Sequence, residues 1–128
     1  MDHTPGFLKL VEEVRPRVRE IGVDEARARQ AAGARLIDVR EDLEYAAGHA
    51  AGAEHLGKGV IERDAERRIP DPNAEVLLYC GGGFRSALAA DTLQRMGYTN
   101  VWSVAGGWRA WQDAGAPVET PDDASGRR

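Results

Sequence analysis

One cysteine, Cys80, stands in a chain of 128 residues, so no disulfide can close within the chain and no second thiol can resolve one. That suits a reducing compartment, and a cytoplasmic location is expected. Long apolar runs are missing as well: none approaches the roughly 20 residues that cross a bilayer, so no membrane partner is expected. The opening, MDHTPGFLKLVEEV, has no basic start followed by an apolar block, so no secretory leader is expected. Positive charge is not in excess. With a formal net charge of -4 there is no electrostatic footprint for nucleic acid. His3 and His55 have no ligand spacing with Cys80, so no metal is expected. Neither a Gly-Lys-Ser/Thr loop nor a G-x-G-x-x-G turn follows a strand, which removes the common nucleotide sites.

What is present is a regular alternation. PGFLKLVEEV (5–14) places Phe7, Leu8, Val11 and Val14 at helical spacing, and Pro16 closes it. VREI (18–21) reads as a short strand. GVDEARARQAAG (22–33) reads as a helix, with Asp24 as its cap and Gly33 as its stop. RLIDVR (35–40) is a strand, and EDLEYAAGH (41–49) a short helix ended by Gly48. Residues 50–75 are less legible: AEHLG suggests a strand, KGVIERDAERRI a helix and PDPNAE a turn. EVLLYC (75–80) is a continuous apolar strand suited to a sheet covered on both faces. A helix from Phe84 to Met96, a strand VWSVA (101–105) and a helix GGWRAWQDAG (106–115) complete the pattern. Such alternation predicts an α/β fold with a central, mostly parallel sheet of about five strands and helices on both faces. Residues 1–17 read as an N-terminal helical extension, 18–117 as the domain, and 118–128 as a mobile tail.

Sites in such sheets gather beyond the carboxyl ends of strands, where Cys80 falls. CGGGFRS (80–86) then has the composition of an anion cradle. Gly81, Gly82 and Gly83 let the backbone curl its N–H groups inward, and the helix starting at Phe84 adds unpaired N–H groups. A sulfur at the centre of that ring is favoured as an anion. Arg85 offers a permanent planar cation that holds an oxyanion or braces the loop, and Ser86 can cap the helix or bond the sulfur. The bland alternative is a buried cysteine acting as a small hydrophobe beside an ordinary glycine turn.

CGGGFRS resembles the active-site loop of the rhodanese family, C-x-x-G-x-R-S/T, at Cys80, Gly83, Arg85 and Ser86. LIDVRE, EYAAGH, GAEHL and NVWSVAGGWRAW are similar to further signatures of that family, over about residues 18–117. One departure is GHAAGA, where Ala50 and Ala51 replace a branched residue and a proline. The resemblance implies a three-layer sandwich and a thiosulfate-type sulfurtransferase that needs no cofactor. Cys80 and Arg85 would be catalytic, with Gly81, Gly82, Gly83, Phe84, Arg85 and Ser86 binding a small anionic donor. A thiol, cyanide or protein persulfide would be the other partner. Two rivals remain: a non-catalytic persulfide-binding or regulatory module on the same fold, and a phosphatase or arsenate reductase. The latter enzymes carry five residues between cysteine and arginine; here there are four, Gly81 to Phe84, a ring suited to a sulfur atom.

Other polar residues have structural readings. Asp38, Arg40 and Glu44 are expected to form an ion cluster tying strand to helix. His49 is expected to bond backbone carbonyls at a helix end. Lys58 reads either as a solvated lysine or as an attraction for the donor at a pocket mouth. Trp108 and Trp111, three apart, are expected in the core.

Overall fold

The computed structural model describes residues 3–121. The chain runs α1 (Pro5–Val14), β1 (Glu20–Ile21), α2 (Val23–Ala31), β2 (Arg35–Asp38), α3 (Asp42–Ala47) and β3 (His49–Ala50). It continues through β4 (Glu54–His55), α4 (Ile61–Arg68), β5 (Val76–Tyr79), α5 (Phe84–Arg95), β6 (Val101–Val104), α6 (Gly107–Asp113) and β7 (Val118–Glu119). Five strands form one sheet in the order β1-β6-β5-β2-β4, with each neighbouring pair parallel. Among the described residues, no helix is long and apolar enough to cross a membrane.

Strand alternation explains why this sheet is covered on both faces. Ile37, Val76, Leu78 and Val101 point to one side and pack with Val14, Ile61, Ala65, Ala90 and Leu93 from α1, α4 and α5. Leu36, Leu77, Tyr79 and Val104 point to the other, against Val23, Ala26 and Trp111 of α2 and α6. β5 is buried along its whole length. Fully burying a leucine such as Leu77 or Leu78 contributes ~1.5–3 kcal/mol, so this strand anchors both layers. The edge strands β1 and β4 have only two residues each, which leaves little open backbone for pairing with another sheet.

From β2 the chain advances to β4 at one edge, then returns to β5 on the other side of β2. The carboxyl ends of β2 and β5 therefore flank a topological switch, the usual place for a site in an open α/β sheet.

Three expectations are corrected. Asp24 does not cap α2: the capping position is Gly22, with no side-chain bond, and Asp24 lies in the first turn, where the helix dipole favours it. The tail does not start at 118, because Val118 and Glu119 pair antiparallel with Ala50 and His49. Ala51 N and Trp111 Nε1 hold that segment further by donating to the Pro117 carbonyl at 2.9 and 2.7 Å. Two residues carry no periodicity, so the sequence pattern is silent about β7. The rest of the expected tail, from residue 122, lies outside the described residues. Glu44, finally, acts on Arg40 only through its charge and bonds neither Asp38 nor Arg40. Its partner is Arg85.

Candidate active site

Cys80 follows the last residue of β5, and α5 begins four residues later. Gly83 takes φ = +99°, a left-handed conformation that only glycine enters without strain, and this turns the chain back over the sulfur. As a result the amides of Gly83 and Ser86 both donate to Cys80 Sγ, at 3.1 and 3.3 Å. Ser86 Oγ lies 3.6 Å from the sulfur and shares a 2.8 Å hydrogen bond with Ser103 Oγ on β6. Both serines are fully buried. Hydrogen bonds to a charged group are worth about 1.5–3 kcal/mol each, so this ring of donors stabilises an anionic sulfur.

The amides face inward because the carbonyls are held outward. Trp108 N donates to the Cys80 carbonyl at 2.6 Å, and Arg109 N donates to the Gly81 carbonyl at 3.1 Å. This contact brings the start of α6 against the loop, and Gly107 makes it possible. Its φ is +52°, and a Cβ there would collide with the Cys80 carbonyl oxygen. Sequence reasoning placed GGWRAW on a helix but missed this service to the loop. It also missed Ser103, whose only signal is a hydroxyl in the otherwise apolar strand VWSV.

Cys80 is 1% exposed and packs with the core on the α5 face. Gly82, at the loop's tip, is exposed, and the space beside its Cα is empty. Phe84 is held from outside by the N-terminal segment: the His3 ring meets it edge-on at 4.5 Å between centroids, and the Arg15 guanidinium stands 5.2 Å from its ring.

Arg85 donates to both carboxylate oxygens of Glu44, at 2.9 and 3.2 Å. Those bonds, above all, hold the Glu44 carboxyl down at about 2. Glu44 also accepts from Glu41 N at 3.0 Å as half of a capping box for α3. The arginine is thus a brace between α3 and α5. Its charge nevertheless acts on Cys80, and its Nη2 lies close to Gly81.

Asp38 and Arg40 stand at the same end of the sheet as Cys80 but pack on the opposite face. Arg40 donates to Asp38 Oδ2 at 2.8 Å and to the Gly48 carbonyl at 2.6 Å, and its guanidinium lies 4.7 Å from the Trp108 ring. Tyr79 donates its hydroxyl to Asp38 at 2.5 Å and accepts from Ala50 N at 2.9 Å. Burial, then the Asp38 charge, raises the Tyr79 phenol far above its ordinary range. His49 contacts the Tyr45 carbonyl through Nδ1 at 3.0 Å and stacks on the Tyr45 ring. Trp111 is buried as expected, while Trp108 is half-buried. Lys58 and Arg85 line one cavity beside the loop. Among the described residues there is no cluster of three or more His, Cys, Asp or Glu able to hold a metal ion.

Comparison with known proteins agrees with this architecture. The model of the rhodanese-like domain matches residues 22–114. Thiosulfate sulfurtransferase GlpE of Pseudomonas entomophila is 36% identical over 102 residues, covering 80% of this chain and 91% of that protein. A solved structure from Rhodopseudomonas palustris, of unknown function and described as a possible tyrosine phosphatase, superimposes with a TM-score of 0.79 at 30% identity. That match covers 93% of this chain and 98% of the other. The human single-domain sulfurtransferase TSTD1 gives a TM-score of 0.68 at 28% identity, over 75% of this chain and 96% of that one. With its parallel five-stranded sheet, its glycine-cradled thiol and a family match over most of its length, the chain belongs to the rhodanese family.

Proposed function

We propose that the protein is a sulfurtransferase that carries sulfane sulfur on Cys80 and works in a reducing compartment such as the cytoplasm. The observation that carries this reading is the pair of inward amides, Gly83 N and Ser86 N, aimed at Sγ within a loop that has four residues between Cys80 and Arg85. Such a ring stabilises a thiolate before reaction and a persulfide after it.

In the first half-reaction the Cys80 thiolate attacks the outer sulfur of thiosulfate. The new S–S bond forms as the S–SO3 bond breaks, and its electron pair leaves with sulfite. In the second, cyanide or a thiolate attacks the terminal sulfur, the S–S bond breaks, and the pair returns to Sγ. Covalent catalysis of this kind runs by a ping-pong scheme. Gly81, Gly82, Gly83, Phe84 and Ser86 shape the seat for the transferred sulfur. Arg85, engaged by Glu44, braces the loop and contributes its field, and no cofactor takes part.

Initial rates with thiosulfate and cyanide varied together should give parallel double-reciprocal lines. Intersecting lines would contradict a free persulfide intermediate. An aryl phosphate assayed alongside addresses the phosphatase alternative: the four-residue ring is one residue short for a phosphoryl group, so no hydrolysis dependent on Cys80 is expected. Efficient hydrolysis lost in Cys80→Ser would replace the sulfurtransferase reading.

A further inference from the structure

Beside the loop lies a cavity of about 590 Å³, lined among others by Arg85, Val39, Lys58, Val60 and Arg68. Thiosulfate, with five non-hydrogen atoms, would leave most of it empty; pockets of ~300–1,000 Å³ take larger organic ligands.

The charges that line it are nearly all committed. Arg85 is engaged by Glu44, and Arg40 by Asp38. Asp64 lies between Arg63 and Arg67, at 2.8 and 3.4 Å. Arg68 comes only within 4.0 Å of Glu54, whose carboxylate Arg35 already holds at 2.6 Å. The Glu41 carboxylate caps α3. Asp42 is almost fully exposed, 3.7 Å from His55 Nδ1. Lys58 has no ion pair or side-chain hydrogen bond among the described residues.

Its backbone is nonetheless fixed. Lys58 N donates to the Val39 carbonyl at 3.0 Å, and Val60 N closes a turn onto Gly57 O at 3.0 Å. The half-buried lysine is thereby set at the carboxyl end of β2, the same end of the sheet as Cys80. A lysine with no counter-ion, on the wall of a cavity, attracts an anion.

We propose that Lys58 selects anionic sulfur compounds at this cavity, meeting the sulfonate of an inorganic donor or the carboxylate of an organic thiol. This rests on the sulfurtransferase reading for its biological sense, but its physical content is testable without turnover.

The test alkylates Cys80 with iodoacetate and with iodoacetamide, reagents of similar size that differ in charge, in wild type, Lys58→Met and Lys58→Arg. Methionine keeps the unbranched apolar stem. The ratio of anionic to neutral rates should fall about tenfold in Lys58→Met, return in Lys58→Arg, and fall in wild type as salt is raised. Two turnover arms separate the sources. A raised KM for thiosulfate at unchanged kcat assigns Lys58 to the donor. A selective loss with 3-mercaptopropionate, against 2-mercaptoethanol, assigns it to the acceptor. An identical alkylation ratio in wild type and Lys58→Met overturns the inference and leaves the proposed function standing. A lysine-dependent ratio in a protein that never transfers sulfur would support the anion site while removing the proposed function.

Discussion

Arg85 and Glu44 form a two-point ion pair, at 2.9 and 3.2 Å, that ties the first turn of α5 to α3. The cation next to the glycine loop is thereby tied to a carboxylate 41 residues away. Both side chains are about a third exposed, so screening holds the pair's contribution near ~0.5–1 kcal/mol.

The pair sets a pH dependence whose sign is fixed. The folded-state Glu44 carboxyl is depressed to about 2 from an ordinary 4.5, so its contribution is full above the ordinary value and is lost as pH falls toward 2. Melting curves of wild type and Glu44→Gln should differ at pH 7 and converge between about pH 4.5 and 2. A difference that persists below pH 2 would contradict the assignment.

Asp38, Arg40 and Tyr79 make a buried group on the face opposite the thiol, with Asp38 fully buried. Arg40→Ala leaves that carboxylate without its cation, which typically costs ~3–5 kcal/mol. Tyr79→Phe strands Ala50 N and should cost about 1–3 kcal/mol. Chemical denaturation measures both. Sulfur transfer per folded molecule should fall less than stability in each; a stable Arg40→Ala protein without turnover would refute the structural role.

Gly107 and Gly115 both have positive φ, +52° and +67°, but only Gly107 touches the loop; nothing lies within 4 Å of a Cβ built on Gly115. Gly115→Ala should lose only the roughly 1–2 kcal/mol of left-handed backbone. Gly107→Ala should lose more stability and also the reactivity of Cys80, measured by alkylation. Equal behaviour of the two variants would mean that α6 does not hold the loop's carbonyls outward.

Burial of the sulfur predicts discrimination by reagent size. Methyl methanethiosulfonate should modify Cys80 far faster than the bulky dinitrobenzoate disulfide reagent, with the gap closing in mild denaturant. Comparable native rates would show an open thiol instead of a buried one.

Much of this architecture was legible in the sequence because the apolar pattern is consistent. EVLLYC could only be a strand covered on both sides, and Gly33, Gly48 and Gly97 stop helices where expected, each at positive φ. The cradle was legible too, since a thiol, three glycines and a helix start within seven residues have few structural outcomes. Relations between distant segments were not. Glu44 sits as close in sequence to Arg40 as to any other cation, and nothing local reveals that α3 directs it to Arg85. The β3–β7 pair joins two dipeptides from distant parts of the chain, His49–Ala50 and Val118–Glu119, by a pairing that no periodicity encodes.

The most direct measurement is the intact mass of the protein after incubation with thiosulfate. Donor amides closing on Cys80 Sγ should yield a species heavier by one sulfur, about 32 Da from atomic mass, removed by cyanide and absent from Cys80→Ser. A wild-type protein that stays at its starting mass through that incubation, while its thiol remains free to alkylate, would contradict the account.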